Sequence, residues 1–262
     1  MRFDNDPGSG SADNQEIFVS IELTIVATRR PELLRATLQS FNEKMFKNFS
    51  FSRVSMNVDK LWGDEEDERN CIEVLKSFYP QAIVYAPPVP GFAAAVKRLW
   101  LNSEADFVFH MEDDWELLEE IPAGILDLFG EKSISQVSLM TKEKNWSVER
   151  RGMFHYARKN YRFLGFELPI RLKYPNFTTS PAFLRGDFAR GWGKLLDETL
   201  DPEKQVRSLR NPQLMQYVSK FRNRLYVGKS EYCVAEDTGR VWRDRMGIEK
   251  VVVDDASAWL SK

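Results

Sequence analysis

The sequence is poor in the residue types that most often identify a protein class by themselves. Among its 262 residues are two histidines and two cysteines, Cys71 and Cys233. These cysteines do not form a metal-ligand pair, so a reducing compartment is the simpler expectation, with one long-range disulfide as the alternative. No apolar run approaches the length of a membrane span, and the first residues lack the apolar core of a secretory signal. We therefore expect a cytoplasmic protein.

The chain also lacks an excess of charge of one sign. Its formal net charge is -2 although 29% of the residues are charged, so no whole-protein field favours nucleic acid or a membrane surface. The 43% of hydrophobic residues and 13% of aromatic residues are sufficient for a sizeable core in one compact domain. Any contact with an anionic partner must therefore come from a local patch.

Most of the first half of the chain alternates between strand and helix patterns. Residues 1–16 are rich in Gly, Ser, Asp and Asn and predict a flexible tail. The β-rich runs that follow lie at 21–27, 53–59, 82–85 and 107–111, and three amphipathic helical patterns separate them. Such alternation predicts an α/β fold with a mostly parallel, Rossmann-like sheet flanked by helices.

Beyond about residue 131 the alternation is less regular. Residues 137–140 predict a further strand. Apolar residues then recur at helical spacing, at Leu214, Val218, Phe221 and Leu225. They predict one long C-terminal helix that begins at Asn211-Pro212.

The run at 107–111 ends abruptly in Glu112-Asp113-Asp114. Its continuous apolar character is typical of a strand covered on both faces. Ligands bind at the carboxyl ends of strands in open α/β sheets, where carboxylates hold Mg²⁺ or Mn²⁺ together with diphosphate oxygens. The cluster therefore predicts a nucleotide and a metal. The alternative is an acidic start to a helix beginning at Trp115.

A second acidic pair, Glu236-Asp237, is followed by Arg240 and Arg243. A carboxylate can act as a general base, and guanidinium groups can bind diphosphate oxygens in a bidentate manner. The structural alternative is a helix N-terminus, or an ion pair with either arginine. One further candidate, His110, lies within the apolar run and is more typical of a hydrogen-bonded core residue than of a metal ligand.

Four ordered pieces of the sequence resemble the GT-A glycosyltransferases, and among them the large inverting family often called family 2. The pieces are 24–34 with Thr28 and Arg30, 57–59 ending in Asp59, 90–95 with Gly91, and Glu112-Asp113-Asp114 in place of the Asp-x-Asp motif. They cover roughly the first half of the chain. The resemblance implies a single GT-A-like domain in which residues 17–130 bind the donor and residues 131–262 bind the acceptor and carry the catalytic base.

The resemblance also implies a function. It is the metal-dependent transfer of one sugar from a nucleotide-diphosphate sugar to an acceptor hydroxyl, with inversion expected. The Gln-x-x-Arg-Trp element of processive members is absent, which favours single transfers. We assign Asp114 and Glu112 to Mn²⁺ or Mg²⁺, Asp113 to the ribose, and Asp237 to the base with Glu236 in reserve.

The remaining assignments concern the donor and the acceptor. Donor contacts are expected from Thr28, Arg30, Asp59, Gly91, Arg240 and Arg243. By resemblance, residues 177–185 line the acceptor side. The acceptor itself stays open between a glycan, a lipid-linked compound, a small molecule and a modified nucleic acid, and the oligomeric state is also open.

Two other functions compete with this interpretation. A sugar nucleotidyltransferase shares the sheet and the metal requirement, but the loop at 27–31 contains no glycine to cradle a phosphate. A catalytically silent binding module of the same fold is the second alternative. The presence of both acidic sites argues against it.

Overall fold

The computed structural model describes residues 19–163, 166–207, 210–229, 233–253 and 256–261. The predicted tail at 1–16 lies outside the described residues. Within the described part, no helix is long and apolar enough to cross a membrane.

The first part of the chain follows the predicted alternation closely. Its elements are β1 (Ile21–Thr28), α1 (Pro31–Lys44), β2 (Arg53–Asp59), α2 (Glu65–Phe78), β3 (Ile83–Tyr85), α3 (Phe92–Leu101) and β4 (Phe107–Glu112). Helix α1 begins with Pro31 at its first turn, where the missing N–H costs no helical hydrogen bond. Helix α2 begins with a capping box, in which Asp64 and Asp67 each accept a backbone N–H of the other.

The second part contains shorter elements. They are β5 (Trp115–Leu117), β6 (Ile134–Leu139), α4 (Val148–Arg151), β7 (Phe154–Phe163), β8 (Phe166–Pro175), β9 (Ala182–Arg185), α5 (Gly186–Leu195), α6 (Lys204–Arg207), α7 (Pro212–Val218), β10 (Arg222–Tyr226), β11 (Ala235–Asp237), α8 (Gly239–Arg245), β12 (Ile248–Val253) and β13 (Ala256–Ser261). Two 3-10 helices lie at Phe46–Asn48 and Ala123–Phe129. The predicted strand at 137–140 falls on β6.

One large sheet organises the molecule. Its nine strands lie in the order β3-β2-β1-β4-β9-β6-β10-β7-β8. Strands β1 to β4 are mutually parallel, and only β9 and β7 run against the common direction among the described strands. The predicted mostly parallel α/β sheet is therefore confirmed. Because Thr28 pairs with Asp59 and Val26 with Glu112, the carboxyl ends of three neighbouring strands lie at one edge.

The core lies on both faces of this sheet. On one face α1 and α2 pack Phe41 and Leu75 in a cluster that includes Phe109 of β4. On the other face α3 and α5 pack Trp100 against Trp192, with ring centroids 5.0 Å apart. Covering both faces explains why β4 is so continuously apolar in sequence.

His110 belongs to this core, as predicted. Its side chain is fully buried, its Nδ1 lies 3.0 Å from Thr24 Oγ1, and its ring packs edge-on against Trp100. Burial lowers the pKa of His110 to about 3, so the ring is neutral at physiological pH. It plays no part in a metal site at the strand end.

Two local expectations were wrong. No helix begins at Trp115, because residues Trp115–Leu117 form β5 and pair with β11. The predicted long C-terminal helix ends at Val218, although Asn211 caps its start by accepting the Leu214 N–H. Leu225 lies instead on β10, opposite Ser138 of β6. Sheet pairing thus overrides a helical spacing that is fortuitous beyond residue 218.

Candidate functional site

A cavity of about 710 Å³ opens at the edge where β1, β2 and β4 end. Ten of the eleven residues predicted from the sequence line it, namely Thr28, Arg30, Asp59, Gly91, Glu112, Asp113, Asp114, Asp237, Arg240 and Arg243. We call it the first cavity. The parallel strands bring the first seven of these together, and β11 with α8 adds the last three.

Arg30 is the centre of the charge network in the first cavity. Its Nη2 donates to Asp113 Oδ1 at 2.5 Å and to Asp114 Oδ2 at 3.0 Å. Asp113 also accepts the Thr28 N–H at 2.9 Å. Burial opposes the charge on Arg30, but the two aspartates outweigh it and raise the pKa of the guanidinium above its ordinary value. Arg30 therefore stays charged and binds the two aspartates together.

Thr37 on α1 fixes the turn that follows β4. Its Oγ1 donates to the carbonyl oxygen of Asp113 at 2.9 Å and accepts the Trp115 N–H at 3.1 Å. This side chain satisfies backbone groups that are buried where the strand ends. The directions of Asp113 and Asp114 are thus set by a helix packed on the sheet.

Asp59 connects the end of β2 to the start of α3. It accepts hydrogen bonds from Asn57 Nδ2 at 2.8 Å and from the Gly91 N–H at 3.1 Å. Burial is the main cause that raises the pKa of Asp59 above its ordinary value. Gly91 lies at the N-terminal end of α3, where a partial positive charge favours an anion.

The carboxylates at the end of β4 repel one another. Burial first, then Asp113 and Asp237, raise the pKa of Asp114 to about 6 against the opposing effect of Arg30. Burial, Asp114 and Glu203 raise the pKa of Glu112 well above its usual range. A divalent cation stabilises such ionised oxygens, and oxygen ligands are those that Mg²⁺ and Mn²⁺ prefer. The donor atoms therefore fit the predicted metal.

The protein does not form a complete cage for that metal. In the part of the chain that the structure describes, no group of three or more His, Cys, Asp or Glu side chains is arranged to hold a metal ion. A cation at Asp114 and Glu112 therefore requires further oxygens from a bound ligand. This requirement fits a site for a metal-bound diphosphate.

The two candidates for the base differ in position. Asp237 lies opposite Trp115 in the β5–β11 pair and accepts Arg240 Nε at 3.2 Å. Arg243 Nη2 lies 3.7 Å from Asp237, and its Nη1 lies 4.0 Å from Asp114. Glu236, in contrast, pairs with Lys142 at 2.9 Å and is not among the residues that line the first cavity. Asp237 thus makes the arginine contacts that a purely structural role would explain. It also lines the first cavity, as a catalytic role requires.

A second cavity of about 500 Å³ adjoins the first. The two share Phe92, Glu112, Asp237 and Arg240. The second cavity is otherwise lined mainly by hydrogen-bonding side chains, which include Thr141, Asn145, His155, Asn176, Thr178, Thr179 and Ser180. Three of these fall within the segment 177–185 that resembles an acceptor-side segment.

Sequence reasoning did not single out several residues of this region. Glu203 Oε1 accepts from Thr178 Oγ1 at 2.6 Å and from the Thr179 N–H at 2.9 Å, and so fixes the wall of the second cavity. Glu143 accepts the Asp237 N–H at 3.2 Å. Gly239 leaves room for Asp114, because a Cβ there would lie 2.0 Å from Asp114 Oδ2. None of these residues had a sequence signal, since loops bring Glu203 and Glu143 to the site and the start of α8 brings Gly239.

Comparisons with known proteins bear on the fold. No family model matches the chain, and no curated protein matches it by sequence. A solved structure of S. aureus TarS is 13% identical with a TM-score of 0.51 over 84% of this chain. TarS residues 1–349 in complex with UDP are 13% identical, with a TM-score of 0.50 over 83%. The mannosyltransferase PcManGT from Pyrobaculum calidifontis, in complex with GDP-Man and Mn²⁺, is 10% identical with a TM-score of 0.53 over 87%.

This chain spans 36% of the TarS structure and 60% of each of the other two. At these identities the likeness concerns the fold. The chain has a GT-A-like fold, as the sequence predicted.

Proposed function

We propose that the protein is a metal-dependent glycosyltransferase that moves one sugar from a nucleotide-diphosphate sugar to an acceptor hydroxyl with inversion. The observation that carries this proposal is the junction of the two cavities. There Glu112 at the end of β4 and Asp237 line both cavities, and the buried Asp113 and Asp114, which follow Glu112, line the first cavity. The complexes of TarS with UDP and of PcManGT with GDP-Man and Mn²⁺ are consistent with it.

The donor is assigned to the first cavity. Asp114 and Glu112 are the proposed ligands of Mn²⁺ or Mg²⁺, which when bound stabilises the charge that develops on the departing diphosphate. Arg240 and Arg243 lie on the same wall and match diphosphate oxygens. Contacts of Thr28, Asp59 and Gly91 with the nucleoside, and of Asp113 with the ribose, remain predictions.

Arg30 has a different place in this scheme. Because it already bridges Asp113 and Asp114, we propose that it holds the two carboxylates in position, in addition to its predicted donor contact. The ion pairs reduce the repulsion that would otherwise force the aspartates apart. Arg30 thereby allows the carboxylates to be arranged before a cation arrives.

The acceptor is assigned to the second cavity. A hydroxyl entering from that side meets Asp237, which both cavities share. Asp237 takes the proton as the hydroxyl oxygen forms its bond to the anomeric carbon. The bond from that carbon to the diphosphate oxygen breaks on the opposite face, and the nucleoside diphosphate leaves. Inversion follows from this opposed geometry.

The assignment of residues 17–130 to the donor and 131–262 to the acceptor remains a proposal. The first cavity takes most of its lining from the first half, but Asp237, Arg240 and Arg243 come from the second half. The second cavity in turn uses Phe92 and Glu112 of the first half. The two halves thus meet where the chemistry is proposed to occur.

The first test is thermal unfolding with UDP, GDP, CDP and dTDP and their common sugar conjugates, each with Mn²⁺, Mg²⁺ or chelator. A ligand that binds the native state raises its apparent stability by mass action. We expect one nucleotide to raise the midpoint with metal, and the rise to disappear with chelator or in Asp114→Asn. The matched control is Glu198→Gln. Glu198 is exposed, pairs with Lys97 and lines neither cavity.

A catalytic readout accompanies the binding test. The sugar conjugate that binds is incubated with an acceptor mixture, and nucleoside diphosphate and glycoside products are measured. Formation of a sugar nucleotide from a nucleoside triphosphate and a sugar 1-phosphate would instead support a nucleotidyltransferase. Binding without turnover under any of these conditions would support a silent binding module.

A further inference from the structure

Trp62 has an unusual backbone conformation for a large aromatic residue. Within the described residues, it is the one residue other than glycine with a positive φ, at 64°. Bulky side chains rarely adopt the left-handed region, because the Cβ approaches the following carbonyl. Such strain persists where the surrounding structure imposes it, and it clusters at functional sites.

The surrounding structure explains how the conformation is imposed. Gly63 is also left-handed, with a φ of 52°, and a Cβ there would lie 2.7 Å from the Arg29 carbonyl oxygen and 2.5 Å from Asp67. Asp64 follows at once as the cap of α2. The turn is thus clamped between the end of β1 and the start of α2, and Trp62 must take the conformation that joins them.

Trp62 lines the first cavity, together with Leu61 and Ile248. It meets the ring of Trp242 edge-to-face, with centroids 6.0 Å apart. The guanidinium of Arg30 lies 5.2 Å from the same Trp242 ring. In this chain of contacts Trp242 and Arg30 lie between Trp62 and the pair Asp113 and Asp114, and we call the part of the first cavity around Trp62 its aromatic end.

The first cavity meets the second at Phe92, Glu112, Asp237 and Arg240, and Trp62 does not line this junction. Asp237 and Glu112 line both cavities, whereas Trp62, Leu61 and Ile248 line the first alone. In the proposed function the sugar must reach Asp237 and the diphosphate must reach the metal ligands. The remaining part of the donor, its nucleobase, is then directed to the aromatic end.

We propose that Trp62 is the stacking platform for the nucleobase of the donor, held in place by its strained backbone. This inference rests on the proposed function and adds a binding residue to it. Every nucleobase has a π-face, and loss of one base–aromatic stack weakens binding by about tenfold to a hundredfold. Trp62 therefore contributes affinity for the base, and the hydrogen-bonding residues around it select among bases.

The test uses substitutions that distinguish the effect of the Trp62 ring from the effect of its strained backbone. Glycine and asparagine both tolerate the left-handed region, so Trp62→Gly and Trp62→Asn remove the ring and relieve the backbone. Trp62→Phe keeps an aromatic face. Dissociation constants for the nucleoside diphosphate that binds best, and for pyrophosphate, are measured calorimetrically with Mn²⁺ on the full chain, together with unfolding midpoints.

We expect Trp62→Gly and Trp62→Asn to bind the nucleoside diphosphate about tenfold to a hundredfold more weakly. Their pyrophosphate affinity and unfolding midpoints should equal or exceed those of the wild type. Trp62→Phe should stay within about fivefold of the wild type, because a smaller aromatic face still stacks. A loss of nucleotide affinity without a loss of stability distinguishes a ligand-binding ring from a structural one.

Three outcomes would overturn the inference. Unchanged nucleotide affinity in Trp62→Gly and Trp62→Asn would exclude stacking on this residue. An equal loss of pyrophosphate affinity would show that Trp62 supports the whole cavity and not the base alone. Failure of the wild type to bind any nucleotide, with or without metal, would overturn the proposed function and this inference together.

Discussion

The two cavities that meet at Asp237 differ in chemistry. The first contains the cations Arg30, Arg240 and Arg243 close to its carboxylates, and an aromatic end. The second is lined largely by hydroxyl and amide side chains together with carboxylates such as Glu203. Arginines beside a cation site match an anionic diphosphate, whereas hydroxyls, amides and carboxylates match a hydroxylated ligand. This difference supports the proposal that donor and acceptor bind on opposite sides of Asp237.

The cavities also differ in how the fold positions them. The first is built mainly on the ends of adjacent parallel strands, whose register brings Thr28 beside Asp59. The second depends on the loop at 176–180 and on Glu203, which lies between α5 and α6 in the chain. With the proposed donor site on strand ends and the proposed acceptor site on loops, the choice of acceptor could vary while donor binding is kept.

The largest effect is expected where the cavities join. Asp237→Asn keeps the size of the side chain but removes the base, so kcat should fall by about a hundredfold to ten-thousandfold. The affinity for the nucleoside diphosphate with Mn²⁺ should change by less than about fivefold, because the metal ligands at β4 are retained. Steady-state kinetics and calorimetry measure the two quantities.

Glu236→Gln is the matched comparison, since it alters the neighbouring carboxylate, which pairs with Lys142 instead of lining the first cavity. It should retain kcat within about threefold, as expected for a surface substitution. If Glu236→Gln lowered kcat as much as Asp237→Asn, the assignment of the base to Asp237 would be wrong. The base would then be Glu236 or neither residue.

The next effect concerns charge in the first cavity. The pKa of Asp114 is raised from 3.8 to about 6, mainly by burial, so the native state favours the protonated form. This contribution to stability is present below pH 3.8 and is lost as the pH rises through about 6. At pH 7.5 without metal, Asp114→Asn should therefore be more stable than the wild type, by up to about 3 kcal/mol.

Urea unfolding at pH 5 and pH 7.5 in the presence of chelator checks this sign. The advantage of Asp114→Asn should shrink at pH 5, because the wild type then gains stability by protonation. Saturating Mn²⁺ together with the nucleoside diphosphate should stabilise the wild type but not Asp114→Asn. An advantage that is the same at both pH values would mean that Asp114 is not the group that titrates.

Gly239→Ala tests the packing of α8 against Asp114, the proposed metal ligand. The added Cβ would lie 2.0 Å from Asp114 Oδ2, so the carboxylate or the helix must move. We expect affinity for the nucleoside diphosphate with Mn²⁺ to fall by about tenfold, since a small misplacement of a binding group is costly. At Gly124, a Cβ has its nearest contact at 3.4 Å, with Asp127. Gly124→Ala should therefore leave the nucleotide affinity measured by calorimetry unchanged. If both variants lost the same affinity, a clash with Asp114 would not explain the effect of Gly239→Ala.

The contrast between the cavities also explains how far the sequence predicts this molecule. Periodicity and strand-end chemistry predict β1 to β4 and the position of Glu112 and Asp114 at the sheet edge, because parallel topology places successive strand ends at one edge. Glu203 and Trp62 escape such reasoning. Their positions depend on loop conformations, and in the case of Trp62 on a left-handed turn that no propensity favours. Leu225 shows the complementary failure, a helical spacing that sheet pairing overrides.

The smallest predicted effect tests the second cavity by itself. Glu203→Gln keeps an oxygen that can accept from Thr178 and Thr179, so the wall should stay in place while its negative charge is lost. We expect the acceptor KM to rise by about threefold to tenfold, the effect of weakening one charged hydrogen bond. Donor affinity should be unchanged at pH 7.5. Glu198→Gln is the control, as an exposed residue paired with Lys97.

A second readout separates this role from a merely structural one. Glu203 contributes to the raised pKa of Glu112, so loss of its charge should lower that pKa and favour the ionised form of this proposed metal ligand. Glu203→Gln should therefore shift the acid limb of Mn²⁺ binding to lower pH while acceptor binding weakens. If Mn²⁺ binding and acceptor binding both weakened, Glu203 would have a structural role around Asp237. That result would argue against separate donor and acceptor sites.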